Sequence, residues 1–207
     1  MRNWSCQKRF ARYLINKTRT VTRYEYQEEP TRITVYSDSE YAGCHNTRKP
    51  TSGGIAMFGK CAIKTWSSTQ NVVALSSGEA EYYGLVKAAS HGIGTRNLFN
   101  DLGHTRIEKV QVLTDASASM GMASRRATGK VRHIEVSQLW LQDKVMRNEV
   151  ELVKIRADQN LADALTKYVD WEVLDKHMRH VNMRYESGRH SEMTAMADMD
   201  EDWGSNE

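Results

Sequence analysis

The segment from Arg32 to Asp38, with the sequence Arg-Ile-Thr-Val-Tyr-Ser-Asp, constrains the fold more than any other stretch of the chain. Its β-branched and aromatic residues alternate with period two, which is typical of a β-strand with one buried face. A carboxylate at the end of a core strand is costly unless water, a hydrogen bond or a metal compensates it. Asp38 is therefore either the first ligand of a metal site or a turn residue that caps the strand end.

The remainder of the chain predicts further strands and helices around this one. Apolar periodicity near two indicates strands, and periodicity near 3.6 indicates helices. Three consecutive strands precede a run of helices and strands, an order typical of an α/β mixed sheet with helices on its faces. The predicted strands are 32–38, 51–58, 61–67, 109–115 and 150–155, and the predicted helices are 4–16, 79–101, 116–124, 131–148 and 159–167. Glycines at positions 92 and 94 suggest a kink in the second of these helices.

Acidic residues end or flank several of these elements. The strand that ends at Asp115 follows a helix, so it runs parallel to the strand that ends at Asp38. Both carboxylates then lie at one edge of the sheet, where α/β proteins place their sites. On the long helix Glu81 lies closer to the apolar stripe than Glu79, so Glu81 is the preferred third acid and Glu79 the alternative. Asp163, on the last predicted helix, is the fourth.

Four converging carboxylates repel one another in a medium of low dielectric constant unless cations neutralise them. Hard oxygen ligands select Mg²⁺ or Mn²⁺. Two such ions roughly 3.5–4 Å apart support phosphoryl transfer to water. If the fold brings the four acids together, they predict a two-metal site that hydrolyses a phosphodiester.

Composition limits the partners and the compartment. The net charge is +3, but residues 191–207 hold six acids and no Lys or Arg, so the rest of the chain is more basic and favours a polyanionic partner. Cys6, Cys44 and Cys61 are few and widely spaced, which argues against a disulfide framework and favours an intracellular location, in the cytoplasm or nucleus. We expect no membrane span, because no apolar run approaches about 18 residues.

Several short motifs occur in order along the chain. They are Ser37–Gly43, Arg48–Gly53, Trp66–Ser68, Ala74–Tyr82 and Ala162–Lys167. Together they resemble the ribonuclease H domain of copia-type retrotransposon Pol polyproteins, over about residues 4–167. The predicted N-terminal helix resembles the segment that ends the reverse transcriptase in that family, so a reverse transcriptase domain is a candidate partner.

The resemblance implies a ribonuclease H-like fold, a five-stranded mixed sheet in the order 3-2-1-4-5 with helices on both faces. It implies an endonuclease that cuts the RNA strand of RNA–DNA hybrids with two Mg²⁺ or Mn²⁺ ions. Position by position, it assigns the catalytic and metal-binding roles to Asp38, Glu81, Asp115 and Asp163.

Two groups of polar residues are candidates for contacts with the phosphates of the hybrid. The first is a basic loop, for which a solvated surface is the alternative. The second is a pair of hydroxyls, which could instead satisfy local backbone groups. The loop residues are Arg125, Arg126, Lys130 and Arg132, and the hydroxyls belong to Thr51 and Ser52.

The chain departs from the family pattern after Asp115, where an amide and a glutamine are usual and this chain has Ala116-Ser117. None of the four acids is lost through this departure. An alternative function is therefore a catalytically weakened or domesticated module that binds nucleic acid. Another nuclease of the same superfold, such as an integrase or resolvase, is a third possibility.

The predicted domain organisation has four parts. Residues 1–31 form a reverse-transcriptase-derived helix and connector, and residues 32–168 form the ribonuclease H-like domain. Residues 169–186 form a C-terminal helical extension. Residues 187–207 form an acidic tail, which we predict to be disordered because it is rich in charge and poor in apolar residues.

Overall fold

The computed structural model describes residues 2–15, 17, 19–41, 47–104, 106–125, 139–188 and 190. The chain divides into two compact units, one built from residues 1–22 with 183–207 and the other from residues 23–182. The helices are α1 (Arg2–Leu14), α2 (Ser77–Asp101), α3 (Ser117–Ala123), α4 (Trp140–Met146) and α5 (Trp171–His180). The strands are β1 (Arg19–Thr22), β2 (Arg32–Glu40), β3 (Thr51–Phe58), β4 (Cys61–Thr69), β5 (Lys109–Thr114), β6 (Val150–Lys154) and β7 (Met183–Glu186). None of the described helices has the length and apolarity needed to cross a membrane.

The smaller unit contains a two-stranded antiparallel sheet of β1 and β7. Arg19 at the start of β1 forms a salt bridge with Glu186 at the end of β7. The hydroxyls of Tyr13, on α1, and Tyr185, on β7, are 2.8 Å apart and form a hydrogen bond. These contacts join segments that lie more than 160 residues apart in the chain.

The larger unit is a five-stranded mixed sheet in the order β4-β3-β2-β5-β6. β2, β3 and β4 form an antiparallel meander, because each strand pairs antiparallel with the next one in the chain. β5 lies parallel to β2, and β6 lies parallel to β5. Counted from β2, this is the order 3-2-1-4-5, so the predicted ribonuclease H-like α/β sheet is confirmed.

The core of this unit lies between α2 and the central strands. Its fully buried members include Tyr82 and Leu85 on α2, which pack with Ile33 on β2 and Val110 on β5. At Gly92 a Cβ would overlap Cγ1 of Val110, so the glycine lets the helix approach the sheet closely. The helix runs unbroken from Ser77 to Asp101, so the glycines at positions 92 and 94 do not end it.

The last predicted helix, 159–167, is also wrong. This segment contains two short 3-10 turns, Ala157–Gln159 and Asp163–Leu165. Between them the Asn160 side-chain oxygen accepts a hydrogen bond from the N–H of Ala162 at 3.2 Å, which offers the backbone an alternative to a helix. Of the predicted helix 131–148, the structure has α4, whereas residues 131–138 lie outside the described residues.

Candidate active site

Asp38 lies inside β2, opposite Gly53 of β3, and is 4% exposed. Its carboxylate accepts a hydrogen bond from the hydroxyl of Thr166. A Cβ at Gly53 would lie 2.8 Å from Cβ of Leu165, so the glycine lets the segment that carries Thr166 pack directly on the sheet. The interpretation of Asp38 as a turn residue is wrong, because the strand continues to Glu40.

Lys167 brings positive charge to Asp38 and Asp163. Its ammonium nitrogen is 2.9 Å from Oδ2 of Asp163 and 3.9 Å from Oδ2 of Asp38. Burial acts to lower the pKa of Lys167, but the hydrogen bond with Asp163 and the charges of Asp38, Asp163 and Asp115 outweigh burial and raise it. The lysine therefore stays charged and partly neutralises this end of the sheet.

Glu81 lies one turn into α2, whose first turn is capped by the hydroxyl of Ser76. Burial, followed by the negative charges of Asp38 and Asp115, raises the pKa of Glu81 to about 8, against a hydrogen bond from the Ser39 backbone that lowers it. Its Oε2 is buried and has no hydrogen-bond partner among the described residues. Glu81 is thus close enough to both aspartates for their charges to oppose its ionisation.

Asp115 directly follows β5, and its Oδ1 accepts a hydrogen bond from the side-chain amide of Asn160 at 3.3 Å. The same amide donates to the carbonyl of Ser37 at 3.0 Å, so Asn160 joins the ends of β2 and β5. Burial raises the pKa of Asp163, and the charges of Asp38 and Asp115 add to this effect although Lys167 opposes it. Within the described part of the chain, Oδ1 of Asp163 is also buried without a hydrogen-bond partner.

Contacts through Asn160 and Lys167 place Asp115, Asp163 and Asp38 at one end of β2 and β5, and the charges of Asp38 and Asp115 reach Glu81. All of their ligand atoms are carboxylate oxygens, and two of these are buried and unpaired, which fits a hard divalent cation. No three of the described acidic, histidine or cysteine side chains are arranged to hold a metal ion. The metal-binding and catalytic roles of the four acids remain predictions.

Glu79 has a different environment. It is 2% exposed, and its carboxylate accepts hydrogen bonds from the N–H of Leu75 at 3.0 Å and from the hydroxyl of Tyr83 at 2.6 Å. Helical periodicity placed Glu81 nearer the buried face, but Glu79 is the more buried of the two. The contacts of Glu79 hold the start of α2, which favours Glu81 as the acid of the site.

The residues predicted to contact phosphates lie in three different environments: buried, partly or fully exposed, and outside the described residues. Ser52 is 1% exposed, and its hydroxyl accepts a hydrogen bond from Gln70 at 2.7 Å, so we now assign it to the support of the sheet. Thr51 is half-buried, and Arg125 is exposed just after α3. The other loop residues, Arg126, Lys130 and Arg132, lie outside the described residues.

Sequence reasoning did not assign roles to three residues that contact the acids, namely Asn160, Thr166 and Lys167. Two of them belong to the motif Ala162–Lys167, whose matching residues could have drawn attention to them. Which atoms they contact depends on how this segment packs against β2 and β5.

Two curated relatives come from plant transposons, and no family model matches the chain. The retrovirus-related Pol polyprotein from transposon TNT 1-94 of Nicotiana tabacum is 30% identical over 135 residues, which are 65% of this chain and 10% of that protein. The polyprotein from transposon RE1 of Arabidopsis thaliana is 28% identical over 134 residues, 64% of this chain and 9% of that protein. The chain is similar to a segment of these retrotransposon Pol polyproteins. This confirms the predicted resemblance, although the chain spans about a tenth of the length of these relatives.

Among solved structures, the N-terminal RNase H domain of a Mycobacterium tuberculosis protein covers 72% of this chain and 96% of its own chain. The sequence identity is 15% and the TM-score is 0.47. The assignment of the fold rests on the strand order and on the parallel pairing of β2 with β5.

Proposed function

We propose that this chain is a ribonuclease that uses divalent metal ions to hydrolyse the RNA strand of RNA–DNA hybrids, as a segment of a retrotransposon Pol protein. The observation that carries the proposal is the grouping of Asp38, Glu81, Asp115 and Asp163 at one end of a ribonuclease H-like sheet. The relationship to Pol polyproteins supports it. A reverse transcriptase domain as partner and an intracellular location remain predictions.

The four carboxylates would hold the metal ions, because they supply oxygen ligands and a strong excess of negative charge. Bound Mg²⁺ or Mn²⁺ would neutralise that charge and activate water for attack on the phosphodiester. Thr166 and Asn160 would orient Asp38 and Asp115, since a hydrogen-bonded ligand is fixed in position. Lys167 would keep Asp163 and Asp38 close together while no metal is bound.

The proposal is tested with a labelled RNA–DNA hybrid, duplex DNA and duplex RNA, each incubated with the chain in Mg²⁺ and in EDTA. We expect cleavage of the RNA strand in the hybrid alone, and only with Mg²⁺. Asp38→Asn and Asp115→Asn should abolish cleavage and leave the fold intact, because they remove metal-binding charge and no apolar packing. Asp143→Asn is the matched control, since Asp143 pairs with Arg147 on the surface of α4. Full activity of either site variant would refute the proposal.

A module that binds hybrids without cutting them is the second candidate function. Two observations favour it: Ala116 stands where the family has an amide, and the described acidic side chains are not arranged around a metal position. Tight binding of the hybrid without cleavage at any Mg²⁺ or Mn²⁺ concentration would support this candidate over the first.

A further inference from the structure

A surface groove lies between β4 and α2, beside the site of the four acids, and encloses a volume of about 380 Å³. Thr69 and Asn71 line one side, and Lys87, Ser90 and His91 line the other. Thr69 pairs with Thr51, which in turn pairs with Glu40, two residues beyond Asp38. One end of the groove therefore lies at the same edge of the sheet as the four acids.

Lys87 lines this groove, Lys64 and Lys49 each contact a residue that lines it, and all three lysines contact neutral groups. The ammonium nitrogen of Lys64 is 3.0 Å from Nδ1 of His91, and that of Lys87 donates to the hydroxyl of Ser68. Lys49 donates to the carbonyl of Asn71 at 2.7 Å. None of the described residues that line the groove is acidic, so the groove wall itself offers these lysines no carboxylate partner.

The wall that carries His91 is held in place by packing. The ring centroids of His91 and Trp66 are 4.5 Å apart, and a Cβ at Gly54 would overlap the Trp66 indole, so the ring lies directly on the sheet. Burial, followed by the charges of Lys64 and Lys87, lowers the pKa of His91 and keeps the imidazole neutral. Its Nδ1 then accepts a hydrogen bond from the ammonium of Lys64, which leaves Nε2–H as a further donor.

We propose that this groove binds a backbone phosphate of a nucleic-acid strand, with Lys64 and Lys87 as the charged contacts. Thr69, Asn71 and Ser90 supply polar groups that can hydrogen-bond the phosphate oxygens. Because the groove lies beside the four acids, the bound nucleic-acid strand would belong to the RNA–DNA hybrid. This identification rests on the proposed function. A phosphate neutralised here would strengthen binding without reading sequence.

The experiment measures the affinity of the chain for an RNA–DNA hybrid in EDTA, where no cleavage occurs, over a range of salt concentrations. In the double variant Lys64→Met/Lys87→Met we expect an affinity loss on the order of tenfold and a salt slope reduced by about one to two. The matched control is Lys60→Met/Lys109→Met, which removes the same charge from the opposite edge of the sheet and should change affinity less than about twofold. Thermal unfolding of each variant verifies the fold.

Equal losses in the two double variants would overturn the proposal, because net charge alone would explain them. Unchanged hybrid affinity in Lys64→Met/Lys87→Met would also overturn it. In a second arm, calorimetry with inorganic phosphate tests the free ion as the ligand. Phosphate binding that depends on the two lysines, without any loss of hybrid affinity, would exclude a nucleic-acid strand as the occupant.

This test separates the groove from the proposed function. If the chain cuts no hybrid but loses hybrid affinity in Lys64→Met/Lys87→Met, the proposed phosphate site stands and the proposed nuclease activity is refuted. If the chain cuts hybrid but binds it equally well after both substitutions, only the proposed phosphate site is refuted. Asp38→Asn should bind hybrid in EDTA with the same dependence on the two lysines as the unmodified chain.

Discussion

Replacing Glu81 by glutamine should stabilise the protein when no divalent metal is present. The pKa of Glu81 is about 8, against an ordinary value of 4.5, because the site is buried and lies near Asp38 and Asp115. Each unit of difference between folded and unfolded pKa corresponds to about 1.36 kcal/mol. The free energy that corresponds to the full pKa difference is an upper limit, since solvent and side-chain relaxation reduce it. We therefore expect Glu81→Gln to raise the free energy of unfolding by about 2–4 kcal/mol near pH 8.

The direction of the pH dependence follows from proton binding. Between pH 4.5 and about pH 8, the folded protein holds the Glu81 proton and the unfolded chain does not. The free energy of unfolding therefore falls as pH rises through this window. Glutamine has no proton to lose, so Glu81→Gln should remove this slope, match the unmodified protein near pH 4, and exceed its stability near pH 8.

The assay is urea unfolding in EDTA at pH 4, 6 and 8, followed by circular dichroism. Glu79→Gln is the control on the same helix. It weakens the acceptor for the Leu75 N–H and the Tyr83 hydroxyl, so it should destabilise the protein by about 1–3 kcal/mol at pH 8. If Glu81→Gln is no more stable than the unmodified protein at pH 8, then burial and the neighbouring carboxylates do not raise the pKa of Glu81 as the structure indicates.

Three further predictions test the site and its supports. Addition of Mg²⁺ should raise the melting temperature of the unmodified chain more than that of Asp115→Asn, because a ligand that binds only the folded state stabilises it; equal shifts would contradict metal binding at Asp115. Gly92→Ala should destabilise by about 1–3 kcal/mol because its Cβ overlaps Val110, whereas Gly94→Ala, with nothing within 4 Å, should stabilise by about 0.5–1 kcal/mol; equilibrium unfolding measures both, and the same sign for both would contradict the packing of α2. Asn160→Ala should cost about 1–3 kcal/mol in urea unfolding, since it leaves the Ser37 carbonyl without its side-chain donor; no loss would show that Asn160 does not join the strands.

The strands of the larger sheet were predictable from local patterns, and the family resemblance implied their order. Period-two alternation marks β2 in the segment from Arg32, and the helix between the third and fourth core strands favours a β5 that runs parallel to β2, as observed. Parallel neighbours end at the same edge, so the proximity of Asp38 and Asp115 followed from topology alone.

The choice between Glu79 and Glu81 depended on more than periodicity. Both lie near the start of α2, and helical spacing compares their angles but not the loops around them. Glu79 is buried, and its carboxylate is held by hydrogen bonds from the Leu75 N–H and the Tyr83 hydroxyl. Glu81 instead faces the charges of distant strands.

From the sequence, periodicity predicted the five strands of the larger sheet, the family resemblance supplied their order, and four acids were proposed as a site. Only the tertiary structure decided that Asn160, Thr166 and Lys167 contact those acids, and that Lys64 and Lys87 flank one groove. The physical reason is distance along the chain. Alternation and capping arise between near neighbours, whereas Thr166 and Asp38 are 128 residues apart and meet only because Gly53 lets a 3-10 turn pack against β3.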